Sequence, residues 1–249
     1  MTAETTDKKL IEYYKNYYND QRTLEKRKIS ALQAIEHLKY VLPLNHYKKI
    51  IDIGAGEGSL LEELDRCKMA DEFYGLEISE SGCKQVSQKT IPHLKSIEKF
   101  DGYSINAAKC QYDLGIVNHV LEHVEHERQF LKSVSRVCEN LYIEVPLELS
   151  FRPQKNIRTG RAFGHLNFYN ELTFQNILLS SGLEIIKFQV FSATKEYEAF
   201  ISGKINGRVR YVLKNALLAT LPKISQGFVV YMAGALCKPK AIYSDERIQ

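Results

Sequence analysis

Between positions 49 and 61 the chain reads Lys49-Ile50-Ile51-Asp52-Ile53-Gly54-Ala55-Gly56-Glu57-Gly58-Ser59-Leu60-Leu61. Glycines at alternate positions let a backbone turn tightly and let a ligand lie against it with no Cβ in the way. The helix that follows points free N–H groups at that ligand. Such amides suit a pyrophosphate, but Asp52 and Glu57 would repel one. A ligand carrying an ammonium and a sulfonium fits a loop with two acids better. The spacing agrees, because the dinucleotide fingerprint places its third glycine one residue later, where Ser59 stands here. Taken alone, the loop is also compatible with a purely structural strand-to-helix turn.

Other residues of the right type follow at the ends of later apolar runs. Glu77 lies about 20 residues past the glycines, where an acid can accept both hydroxyls of a ribose, and Ile78 is placed to cover a base. Asp101-Gly102 offers either a hydrogen-bond acceptor for an adenine amino group or a plain turn. Asn118 and His119 close another run, followed by Glu122 and His123.

The elements that must hold these residues alternate strand and helix, which predicts a parallel sheet covered on both faces. Strands are expected at Lys49–Ile53, Glu72–Glu77, Ser96–Phe100, Tyr112–Asn118, Asn140–Val145 (closed by Pro146), Leu183–Phe191 and Gly227–Cys237. Helices are expected over residues 8–40, after Gly58, and around Ser81–Lys89, His126–Cys138 and Asn170–Ser181. Residues 147–166 read as a long loop, and 195–225 as an insertion that is partly helical around Arg208–Leu221. Tyr13, Tyr14, Tyr17 and Tyr18 share one face of the first helix, which reads either as a helix packed on the sheet or as a lid over the substrate. The domain reading is a helical lid over 1–45 and a ligand-binding domain over 46–249 with a helical insertion at about 192–225.

The glycine segment resembles motif I of the class I S-adenosylmethionine (SAM)-dependent methyltransferases. Asn118-His119-Val120-Leu121-Glu122-His123-Val124 resembles the signature after strand four in their small-molecule members, of the ubiquinone and biosynthetic-cluster types. The likeness covers roughly residues 47–146 and continues more loosely through Gly164-His165-Leu166-Asn167-Phe168-Tyr169; strand three is the departure, its usual acidic stretch being thin. The resemblance implies a Rossmann-like α/β fold with a seven-stranded, mostly parallel sheet, an antiparallel last strand and helices on both faces. It implies SAM as cofactor and S-adenosylhomocysteine (SAH) as product. Asp52, Gly54, Ala55, Gly56, Glu57, Gly58, Glu77, Ile78, Asp101, Gly102, Asn118 and His119 would bind the cofactor, and Tyr14, Tyr18, His165 and Tyr169 would face the substrate.

Methyl transfer from a sulfonium is an in-line displacement governed by positioning, and a hydroxyl acceptor profits from a base, for which histidine is the usual choice. His165, His119 and His123 are the candidates, with His165 first because it lies on the segment after strand five. A metal is not expected: His119, Glu122 and His123 share a helical face and with His165 could bind a divalent cation, but three imidazoles suit magnesium poorly. The expected reaction is methyl transfer to an oxygen or nitrogen of a small metabolite such as a sugar, lipid precursor or natural product. The alternatives are tRNA or rRNA methylation, disfavoured by the absence of an Asn-Pro-Pro-aromatic run, and a non-catalytic SAM-fold binding protein.

Bulk properties set outer bounds. The chain has 249 residues, enough for one α/β domain with an insertion, and a net charge of +4, too mild to argue for nucleic acid. The five cysteines are scattered with no Cys-x-x-Cys pair, and residues 1–8 carry no apolar leader, so a reducing, cytoplasmic setting is expected. No apolar run is long enough for a membrane span. Tyr211, Val212, Leu213, Leu217, Leu218 and Leu221, flanked by Lys and Arg, read as a helix docked on the sheet or, alternatively, as a basic amphipathic helix touching a membrane. The oligomeric state is left as monomer or homodimer.

Overall fold

The computed structural model describes residues 21–43, 46–105, 111–151 and 153–240. Tyr13, Tyr14, Tyr17 and Tyr18 lie outside them. Seven strands form one sheet: β1 (Tyr47–Ile53), β2 (Ala70–Glu77), β3 (Leu94–Lys99), β4 (Tyr112–Asn118), β5 (Cys138–Leu147), β6 (Leu183–Phe191) and β7 (Tyr231–Pro239). Their spatial order is β3-β2-β1-β4-β5-β7-β6. All pairings among β1–β5 are parallel, while β7 runs antiparallel between β5 and β6. The order reverses between β1 and β4, so a cleft opens at their carboxyl ends, where open α/β sheets take ligands.

The strands alternate their apolar side chains between two cores. Ile50, Leu114, Ile116 and Tyr142 face one side and pack with α1 (Gln21–Val41) and α2 (Ser59–Arg66). Ile51, Val117, Leu141 and Ile143 face the other and pack with α4 (Glu127–Ser135) and α6 (Glu171–Ser180). Helix α3 (Glu80–Ser87) is capped by Ser79, whose hydroxyl accepts from the Gly82 amide at 3.1 Å. The C-terminal half of α1 buries Ala31, Ala34, Ile35, Leu38 and Val41 at helical spacing, so this half belongs to the core of the sheet domain. Its N-terminal half reaches over the cleft.

Three expectations need correction. The strand expected to end before Pro146 continues to Leu147, with Pro146 opposite Met232 of β7. Pairing with β4 ends at Glu144, so β5 has a neighbour on one side only at Pro146, and an edge tolerates the missing N–H. The stretch 147–166, read as loop, contains helix α5 (Pro153–Ala162). Proline pre-sets the first turn of a helix, but α5 buries only Gly160 and so carries no apolar stripe to betray it. The insertion, expected to be only partly helical, holds α7 (Lys195–Ser202), α8 (Lys204–Thr220) and the short α9 (Pro222–Ser225). Gly203, at φ +81°, makes the break between α7 and α8.

Candidate active site

The glycine loop leaves β1 at Ile53 and enters α2 at Ser59. Gly54, Gly56 and Gly58 all take positive φ (82°, 58° and 85°), which side-chain-bearing residues rarely adopt. A Cβ on Gly54 would come within 2.4 Å of Val120 Cγ2. The loop is tied to β2 from both directions. Gly54 and Ala55 donate to the Leu76 carbonyl at 2.8 and 2.9 Å, and Glu77 accepts from the Gly56 amide at 2.9 Å. The other Glu77 oxygen accepts from the amide and hydroxyl of Ser79 at 2.9 and 2.7 Å. Glu77 is therefore buried, oriented, and at the loop where the sequence placed it.

Two cavities meet over this loop. The first, of about 310 Å³, is lined by Gly54, Glu77, Ile78, Phe100, Asp101, Gly102, Tyr103 and Asn118, among others. The second, of about 370 Å³, lies towards β5 and the insertion and is lined by Asp52, Ala55, Glu122, Glu148, Phe163, His165, Tyr197 and Lys214, among others. Arg27, Gly54, Asn118, His119 and His123 line both, so the cavities are two halves of one cleft. Asp101 follows the end of β3 by two residues. It borders the first cavity and also makes the turn, one oxygen accepting from the Tyr103 and Ser104 amides at 2.8 and 2.6 Å. Those bonds hold its carboxyl below the ordinary range despite some desolvation.

The electrostatics of the cleft are set by buried acids. Burial pushes Asp52 up to about 7; Arg27 opposes this, while Glu77 and Glu57 reinforce it. Glu57 behaves oppositely: burial pulls it up, but the Arg27 guanidinium, 2.8 Å away, and the hydroxyl of Ser59 hold it below the usual carboxylate value. Arg27 comes from α1 and lies over the loop. Nothing in the local sequence singles it out, although a loop acid as buried as Glu57 requires a counter-charge from somewhere.

The three histidines expected to carry the chemistry separate into different roles. His119, at φ +55°, sits between two carboxylates, with Nδ1 3.3 Å from Glu122 and Nε2 3.3 Å from Glu144. Burial opposes its charge, but those two partners outweigh burial and raise it to about 10. It is thus an imidazolium at neutral pH and a poor proton acceptor. Glu144 is further held by His37 of α1, at 2.9 and 3.1 Å, and by the Tyr142 hydroxyl. Burial opposes ionisation of Glu144, yet His37 and His119 keep it well below the normal value. His123 turns Nδ1 to the Gly164 carbonyl at 3.1 Å, and burial lowers its pKa. His165 turns Nδ1 to Glu148 at 2.7 Å. With Nδ1–H donated to that carboxylate, Nε2 carries the lone pair.

Tyr169, expected to face substrate, lines neither cavity. It is a core residue, 3% exposed, whose hydroxyl is engaged by Glu127 and the Leu121 carbonyl. Gly56, Glu57 and Gly58 shape the loop from behind the cavity walls. Four residues that sequence reasoning missed, Arg27, His37, Glu144 and Glu148, hold the cleft's polar side chains in place.

The arrangement suits a nucleoside bearing a cationic amino-acid tail. The side-chain oxygen of Asn118 (Oδ1), on the wall of both cavities, is buried without a hydrogen-bond partner, and a buried orphan acceptor calls for a donor. An ammonium supplies one. Glu122, His123 and His165 offer one ligand atom each within 4.8 Å of one another, a spacing compatible with a divalent cation.

Comparisons with known proteins give the same class. The family described as "Methyltransferase domain" matches residues 23–187, and the chain belongs to it. The fold is shared with a methyltransferase solved with the Trm112 activator of Haloferax volcanii, described as putative (TM-score 0.66, 11% identity, 92% of this chain and 98% of that one). It is shared too with a SAM-dependent methyltransferase from Mesorhizobium loti (TM-score 0.59, 14% identity, 84% and 99%). A third, magnesium protoporphyrin IX methyltransferase from Synechocystis PCC 6803 with bound SAH, gives TM-score 0.53 at 14% identity, covering 87% and 84%. No curated protein matches. The protein is a class I methyltransferase that uses SAM.

Proposed function

We propose that the enzyme methylates an oxygen or nitrogen of a small acceptor held in the second cavity, with His165 as the base. The observation that carries this reading is the 2.7 Å His165–Glu148 pair in the half of the cleft that meets the glycine loop at Gly54, Asn118 and His119. Glu148 fixes the tautomer and steadies the imidazolium that forms, so Nε2 can take the acceptor's proton. When bound, SAM supplies the electrophilic methyl. The acceptor–methyl bond forms as the sulfur–methyl bond breaks, and SAH leaves.

The chain's own residues do the positioning. The Gly54–Gly58 turn supports the nucleoside, Glu77 holds the ribose hydroxyls, and Ile78 lies against the base with Asp101 at its edge. Asn118 and Asp52 favour the cationic tail. His119, charged and pinned between Glu122 and Glu144, gives the junction of the two cavities a fixed shape and charge. The N-terminal helix acts as a lid through Arg27 and Lys26, which line the second cavity. A screen of hydroxylated and amine metabolites for SAM-dependent turnover, repeated with His165→Ala, tests the proposal. Turnover by the wild type that falls by about 10²–10⁴ in the variant supports it; unchanged turnover in the variant refutes the role of His165.

One observation favours a second reading, in which Glu122, His123 and His165 hold a divalent cation that binds the acceptor. Both imidazoles present Nδ1 to an acceptor, His123 to a backbone carbonyl and His165 to a carboxylate, as metal-bound imidazoles do. Activity that vanishes on chelation and returns with added metal selects it over the base mechanism.

A further inference from the structure

Helix α8 leaves an apolar face exposed. Its inward side carries polar anchors: Arg210 and Lys214 both pair with the buried carboxylate of Glu198. Beside them Gly207 lies so close to α7 that a Cβ would fall 2.5 Å from the Ala199 backbone. Its outward side carries the apolar residues. Ile205 is 82% exposed, Val209 54%, and Val212 and Leu213 57% each. Positions 205, 209, 212, 213 and 216 fall on one face at helical spacing. In the segment after the helix Ile224 and Phe228 are exposed as well, and the Phe228 ring packs edge-on against the exposed Phe151 at 5.3 Å. Isolated exposed apolar residues are ordinary, but a continuous patch of this kind marks a contact surface.

Charge decides what covers it. From Ala199 to Lys240 the chain carries seven lysines and arginines and no aspartate or glutamate. Lys204 and Arg208 flank the apolar face and Lys223 follows it, all three exposed. A second copy of the chain packed on this face about a two-fold axis would bring cations to both sides of the interface, with no carboxylate from this stretch to meet them. An anionic lipid surface satisfies both features at once, taking the apolar side chains into the acyl boundary and the cations among its headgroups.

We infer that the outer face of α8, with Phe228 and Phe151, docks the enzyme on an anionic membrane surface. The inner face of the same helix lines the second cavity through Lys214, so the docked enzyme turns that side of the cleft towards the lipid.

Sedimentation with vesicles tests this. One set is phosphatidylcholine alone and the other an equimolar mixture with phosphatidylglycerol, each at low and high salt. The full chain is compared with Val209→Glu/Val212→Glu and with Lys204→Gln/Arg208→Gln. SAH binding by calorimetry confirms that each variant is folded. The expected result is binding to the anionic vesicles that weakens with salt, falls roughly 5-fold per cation removed, and is lost in the double glutamate variant. Three results overturn the inference: no binding to anionic vesicles, equal binding to neutral ones, or a concentration-dependent dimer in solution that the same glutamates abolish.

Discussion

Replacing Asp52 with asparagine should make the free protein more stable while weakening its grip on the cofactor. Asp52 is 3% exposed and titrates at about 7, against an ordinary value of 3.8. Because the folded value lies above the unfolded one, the fold favours the neutral acid. That contribution is complete below the unfolded value and is lost as pH rises to about 7. Its loss costs the fold roughly 4 kcal/mol above neutrality. Asparagine removes the penalty, so the stability gap between variant and wild type should widen by about 2–3 kcal/mol between pH 5 and pH 8. Urea denaturation at a series of pH values measures this gap, and the change with pH cancels any fixed effect of the amide. Cofactor binding gives the complementary reading. A cationic ligand selects the carboxylate, so wild-type affinity for SAM should rise up to about 20-fold between pH 5.5 and 7.5, below the titration of the ligand's own amine. The variant should bind weakly and with little pH dependence. A stability gap that stays flat with pH, or an asparagine variant that binds SAM as the wild type does, refutes the reasoning.

Further outcomes follow from the same geometry. Gly54→Ala places a Cβ 2.4 Å from Val120 Cγ2 at a φ of +82°, so it should cost about 1–3 kcal/mol in thermal or urea unfolding and abolish SAH binding in calorimetry. Arg27→Ala strips the Glu57 carboxylate, 1% exposed, of its counter-charge; a loss of about 3–5 kcal/mol is expected, read by denaturation at pH 7. The His119 ring should remain protonated at pH 8.5 in a nitrogen-15 spectrum, and substituting Glu144→Gln should bring its titration down. Glu148→Gln should lower kcat through loss of the imidazole's orientation while leaving the affinity for SAH unchanged, which kinetics and calorimetry separate.

What could be read from the sequence was local. The glycine loop, Glu77 and the strand Tyr112–Asn118 are set by backbone requirements within a few residues, and each stands where its residue types demand. Strand Leu183–Phe191 was equally plain from its apolar run between Gly182 and the polar insertion. The side-chain pairings of the cleft were hidden because they join residues far apart: Arg27 with Glu57, His37 with Glu144, Glu148 with His165. Even so, Glu144 in the middle of the apolar strand Asn140–Val145 was a signal that a buried partner had to exist. Helix Pro153–Ala162 was illegible because it packs with almost no apolar face. Tyr169 was misjudged for the opposite reason: a tyrosine near a site motif looks like a substrate contact, and only packing shows that its hydroxyl is engaged within the core.

The central claim is that the cofactor lies on the Gly54–Gly58 turn with its ribose on Glu77. A crystal structure with SAH tests it most directly. The ribose hydroxyls should lie within hydrogen-bonding distance of the Glu77 carboxylate and the amino-acid tail at Asn118. A nucleoside bound elsewhere, or a Glu77 that keeps only its bonds to Gly56 and Ser79 with SAH in place, would contradict it.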